Sequence, residues 1–77
     1  MLSYLLQEAE EQNTITVFKE YGDVEVLQYD SSLNCHIVLG FNKVTNENQG
    51  LINKLDRKEL LSYLEDVVEN NYITTIS

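Results

Sequence analysis

Thr14-Ile15-Thr16-Val17-Phe18-Lys19-Glu20-Tyr21-Gly22-Asp23-Val24-Glu25-Val26-Leu27-Gln28-Tyr29 is the stretch in which the periodicity of the chain changes from helical to extended. Ile15, Val17, Lys19 and Tyr21 fall on one side of an alternating pattern and Thr16, Phe18 and Glu20 on the other, the period-two signature of a strand. Val24, Val26 and Gln28 alternate with Glu25, Leu27 and Tyr29, which predicts a second strand. Between them Gly22-Asp23 suits a two-residue hairpin turn of the primed type, with Gly22 supplying the positive φ. That register sets Tyr21 opposite Val24, Glu20 opposite Glu25 and Phe18 opposite Leu27. Two like charges then face each other across the sheet.

Upstream, Leu2, Leu5, Leu6 and Ala9 recur at helical spacing with Tyr4, Glu8 and Glu11 on the other side, so Leu2 to Glu11 reads as a short amphipathic helix that Gln12 and Asn13 end. Downstream, Asp30-Ser31-Ser32 is a turn cluster whose side chains can bond their own backbone. Cys35, Ile37, Leu39 and Phe41 then alternate with Asn34, His36 and Val38 in a third, most apolar strand, where Gly40 marks a bulge or bend. Thr45 to Gly50 reads as a polar loop, and Leu51 to Leu55 stays open between a helical turn and a short strand. Asp56 and Glu59 stand at the N-cap and third helical positions of a capping box, with Leu55 and Leu60 able to close a hydrophobic staple. The helix that begins there carries the stripe Leu60, Leu61, Leu64, Val67 and Val68, with Asn70 and Asn71 as its stop. Tyr72 to Ile76, rich in β-branched residues, reads as a closing strand. The expected fold is α+β: a small antiparallel sheet of three to four strands, with an N-terminal and a C-terminal helix packed on it.

A chain of 77 residues has room for one hydrophobic core, so residues 1–77 are expected to form a single domain of modest stability. Hydrophobic residues make up 43% of it, with five Tyr and two Phe, which sets it apart from disordered acidic chains. Thirteen acidic against five basic residues give a net charge of −8. Such a surface repels nucleic acid and anionic membranes and speeds encounter with a basic partner. The same excess also serves plain solubility. With no leader-like or membrane-spanning run, a cytoplasmic protein is expected.

Catalytic readings find little to build on. Cys35 is the only cysteine, so neither an internal disulfide nor a thiolate zinc site can be assembled. Cys35 and His36 resemble a nucleophile and base, but strand neighbours project to opposite faces and cannot share a proton. The three glycines, at 22, 40 and 50, form no phosphate-binding loop. No catalytic residue, metal or cofactor is therefore expected, and the chain reads as a binding protein and not an enzyme.

The acidic residues cluster in three places: Glu8 and Glu11 on the first helix, Glu20, Asp23 and Glu25 at the hairpin tip, and Glu65, Asp66 and Glu69 on the second helix. Glu65 and Glu69 are one turn apart, and Asp66 and Glu69 sit near the negative end of the helix dipole. These placements work against the helix. Rows of carboxylates about 5.4 Å apart approach the phosphate spacing of a nucleic-acid strand. A solvated face is the plain alternative for any one cluster.

In size, acidity and its helix, hairpin, strand, helix layout, the chain resembles the small acidic host-takeover proteins of lytic bacteriophages, among them DNA-mimicking inhibitors of the histone-like protein HU from Bacillus phages. The resemblance implies a protein that occupies the DNA-binding surface of HU in the bacterial host cell, with carboxylates in place of phosphates and no nucleic acid or membrane bound directly. Glu8, Glu11, Glu20, Asp23, Glu25, Glu65, Asp66 and Glu69 are the candidate partner-binding residues, chosen from their clustering. The rival reading is an antitoxin-like or adaptor module that pairs through a sheet edge, with Tyr72 to Ile76 as the edge offered to a partner or to a second copy.

Overall fold

In the computed structural model, which describes residues 1–77, the chain runs α1 (Leu2–Glu10), β1 (Ile15–Phe18), β2 (Asp23–Asp30), β3 (Cys35–Asn42), β4 (Glu47–Leu55), α2 (Arg57–Glu69) and β5 (Ile73–Ile76). The strands form one sheet in the order β4-β3-β2-β1-β5, antiparallel throughout. The fold is α+β as expected, with five strands in place of three to four.

Both helices end by the same device. Gln12 (φ 64) follows α1 and Asn71 (φ 55) follows α2 in the left-handed region. In α1 the Gln12 and Asn13 amides donate back to the Ala9 and Glu8 carbonyls, and in α2 the Asn71 and Tyr72 amides donate to those of Val68 and Val67. This paired bonding is a Schellman ending, which satisfies carbonyls that the helix leaves orphaned. At its start α2 has the full capping box: the Asp56 carboxylate accepts from the Glu59 amide at 2.7 Å, and the Glu59 carboxylate accepts from the Asp56 amide at 2.9 Å.

The first hairpin departs from its expected register. Phe18 pairs with Val24, Val17 with Glu25 and Ile15 with Leu27, so Glu20 and Glu25 do not oppose each other. Tyr21 and Gly22, and not Gly22 and Asp23, take positive φ. The Lys19 amide donates to the Asp23 carbonyl at 2.8 Å, leaving Glu20, Tyr21 and Gly22 as the loop. Hydrophobic burial selects this register, because it sets Ile15 beside Leu27, each at most 1% exposed. The expected polar loop at Thr45 to Gly50 is also corrected. Glu47 to Gly50 belong to β4, whose alternation is broken where the register slips by one residue twice, at Gln49 and at Ile52. Gly40 faces these bulges: a Cβ there would collide with the Ile52 side chain, so the bulged strand fills the space that the glycine leaves.

Both helices lie on one side of the sheet and pack against each other. Leu5 and Ala9 of α1 and Leu60, Leu64 and Val67 of α2 close over Ile15, Val17, Leu27, Val38 and Leu55. Following α2 from β4 to β5 crosses the whole sheet, from one edge strand to the other.

Candidate binding surfaces

The eight candidate carboxylates divide between the two ends of the molecule. The β1–β2 loop, the start of β5 and the C-terminus of α2 share one end, since Phe18 pairs with Ile73. This end carries Glu20, Asp23, Glu65, Asp66 and Glu69, all exposed. Glu8 and Glu11 lie at the other end, where the Ala9 carbonyl meets His36 and where α2 begins. There the Glu8 carboxylate accepts from the Asn13 side-chain amide, and that of Glu11 from Gln7 at 3.2 Å.

Glu25 is the exception at the hairpin end. It projects to the helix side of the sheet, where Lys19 Nζ lies 3.2 Å from Oε1 and the Tyr63 hydroxyl donates to the same oxygen at 2.9 Å. Burial, and next the charge of Glu25, push the Tyr63 hydroxyl far above its ordinary value of 10.0. Glu25 is thus engaged inside the fold. Only one other carboxylate forms an ion pair, Glu10 with Arg57 at 3.4 Å; the rest are unpaired, and the one further cation at the hairpin end is Lys43, whose amide donates to the Gly22 carbonyl and whose Nζ lies over Phe18. Asp23 accepts from the Asn42 side-chain amide at 2.6 Å. Asp30, outside the eight, holds the β2–β3 turn: its Oδ1 accepts from the Ser32 hydroxyl and from the amides of Ser32 and Leu33. Those bonds, the hydroxyl's foremost, hold its carboxyl below the usual 3.8.

A second surface went unnoticed in the sequence. The side of the sheet away from the helices presents rows of apolar residues across the strands. One row runs Ile73, Phe18, Val24 and Phe41, and the next runs Thr75, Thr16, Val26, Leu39 and Leu51. A third holds Gln28, Ile37 and Lys54. Val24 and Ile37 on this face are each 5% exposed, and neither belongs to the helix-side core. Phe41, Leu51 and Ile73 are exposed. Lys43 Nζ stands 4.6 Å above the Phe18 ring at its rim. The signal was present in the alternation of Phe18, Val24, Val26, Ile37 and Leu39. β3 is apolar on both faces, however, so periodicity alone did not say which side the helices cover.

Cys35 and His36 project to opposite faces as strand neighbours do. His36 turns to the helix side, where its ring stacks edge-on with Tyr29 at 5.2 Å between centroids. Its Nε2 lies 2.9 Å from the Ala9 carbonyl; a carbonyl only accepts, so that nitrogen carries the proton. No three of the His, Cys, Asp and Glu side chains converge as a metal site would require. The concavities are open depressions, such as that between β4 and α2 lined by Asn53, Lys58, Ser62 and Tyr63. No helix is long and apolar enough to cross a membrane. Compared with protein-family models, curated proteins and solved structures, the chain matches none of them.

Proposed function

We propose that this is a binding protein that occupies the nucleic-acid-binding surface of a basic DNA-binding protein and thereby blocks it. The histone-like protein HU is the target that the resemblance to phage proteins implies. The observation that carries the reading is the set of exposed carboxylates gathered at one end, none of them in an ion pair: Glu20 in the β1–β2 loop, Asp23 at the start of β2, and Glu65, Asp66 and Glu69 on α2. Asp66 and Glu69 lie in the last turn of α2, where the helix dipole is negative and no basic residue offsets them. That arrangement costs the helix stability; within the fold Asp66 accepts one hydrogen bond, from the Asn70 side-chain amide at 3.0 Å, while Glu65 and Glu69 have no partner. Glu25, held by Lys19 and Tyr63, is left out of the contact, and Glu8 and Glu11 lie too far round the molecule to share it.

The test is calorimetric titration into HU at about 50 and about 300 mM salt, where screening separates charge-driven from apolar association. Affinity should fall at least about tenfold with the added salt, and again on replacing Glu65, Asp66 and Glu69 together by Gln, Asn and Gln. The pair Glu8→Gln and Glu11→Gln should have little effect. Absence of binding at low salt, or binding indifferent to salt, removes the proposal. The sheet-edge alternative is supported by β5, an outermost strand paired on one side only.

A further inference from the structure

We infer that Tyr21 is the anchor of the acidic contact, an aromatic side chain that enters an apolar recess rimmed by lysine or arginine on the partner. This rests on the proposed acidic contact and adds to it a residue that binds by burial instead of charge. Tyr21 stands 87% exposed in the β1–β2 loop, with a backbone φ of 56°. Three of the other four non-glycine residues at positive φ are asparagine, a type that this region accepts, whereas a bulky side chain there is an outlier. The ring is present against local preference and has no place in the core. Tyr29 and Tyr63, by contrast, set their hydroxyls on Asn34 and Glu25.

The loop that presents Tyr21 is fastened by the next turn. Asn42 Nδ2 donates to the Tyr21 carbonyl at 3.1 Å and to Asp23 Oδ1 at 2.6 Å, while Asn42 Oδ1 accepts from the Val44 and Thr45 amides, each at 2.9 Å. The Lys43 amide donates to the Gly22 carbonyl at 2.8 Å. A Cβ on Gly22 would collide with the Val44 side chain, so the two turns touch, and Val44, 78% exposed, joins Tyr21 on one tip. On a backbone fixed in this way a tyrosine has few torsions left to order, so binding loses little entropy. An apolar centre with a charged surround is the anatomy of contacts in which a few aromatic anchors carry most of the affinity.

Charge names the partner. Glu20 and Asp23 flank Tyr21 and Gly22, exposed and in no ion pair, and the Nζ of Lys43 lies over the Phe18 ring. Carried to the mouth of an acidic recess, these carboxylates are repelled; a rim of lysine or arginine pairs with them. The same cations sit favourably over the face of the ring.

The test is calorimetric titration of the Tyr21→Asn variant into HU at about 50 and about 300 mM salt. The substitution leaves net charge alone and suits the backbone, so affinity should fall by about 30-fold at both salts, while Tm stays at or above that of the wild type. Tyr21→Phe should bind within about threefold of the wild type. Loss of the α2 carboxylates, by contrast, should weaken binding more at low salt than at high. A Tyr21→Asn protein that binds like the wild type, or whose deficit vanishes at high salt, overturns the inference and leaves the acidic contact standing. Wild-type protein that does not bind HU at low salt removes both.

Discussion

Tyr63 shows how one residue divides the acidic set. It lies beside Leu64 on α2, half-buried, with its ring against the core and its hydroxyl on Glu25. Tyr63→Phe should cost about 1 kcal/mol near neutral pH, the scale of one hydrogen bond, read from the urea midpoint. The pH dependence follows from the raised hydroxyl. Its full contribution is present below the ordinary value of 10.0 and declines as the pH climbs above it, because the unfolded chain gives up that proton first. The difference between the two proteins should therefore shrink between about pH 9 and about pH 11.5; a constant difference would show that the fold does not hold Tyr63 neutral. The Asp30 turn could be read from sequence, because its partners are two and three residues away. The Tyr63–Glu25–Lys19 group could not, since it joins α2 to β2 and depends on a hairpin register that burial of Ile15 and Leu27 sets, not the turn residues.

At the scale of elements, local chemistry was the reliable guide. Asp56 and Glu59 announce the start of α2, and Gln12 and Asn71 mark where both helices stop, because caps are settled within a few residues. Asp56→Ala should lower stability by about 1 kcal/mol, or roughly 4–8 °C in Tm for a domain of this size, followed by thermal circular dichroism. Asp56→Asn, which still presents an oxygen to the Glu59 amide, should retain most of it. An alanine variant melting with the wild type would mean that tertiary contacts alone set this helix end. Strand β4 was harder to read. Its two extra residues move the alternation out of phase twice, so a period-two pattern that runs intact along β2 dissolves into polar noise along Glu47–Ile52. The hairpin failed for a different reason: Tyr21 adopts a left-handed conformation usually left to glycine or asparagine, and the packing of Ile15 and Val17 outweighs that local preference.

The whole molecule has two unlike sides, with helices and most of the charge on one and bare sheet on the other. Its interior is thin: twelve hydrophobic residues are buried, all but Val24 and Ile37 in the helix-side cluster. Leu64, at 0% exposure in the middle of that cluster, should cost about 2–5 kcal/mol when cut to alanine, a large share of the stability of so small a domain. Leu61, 39% exposed on the same helix, should cost less than about 1 kcal/mol. Urea midpoints for the two variants check this, and equal losses would mean that the helix stripe is misplaced. The α+β class could be read from the change of period. The two-sidedness could not, because strand alternation says which residues are neighbours on a face and not which face a helix will cover.

The path of α2 across the sheet also orders the assembly of the fold. β1 to β4 are joined by short turns and can zip together one neighbour at a time, whereas β1 gains its second partner from β5, most of the chain's length away, where Phe18 meets Ile73. Closing so long a loop is entropically slow until the intervening helix has docked. The final strand is therefore fastened by the helix that carries it, and the helix acts as a strap whose loosening at Asn70 and Asn71 would release the outermost strand before any other part of the sheet.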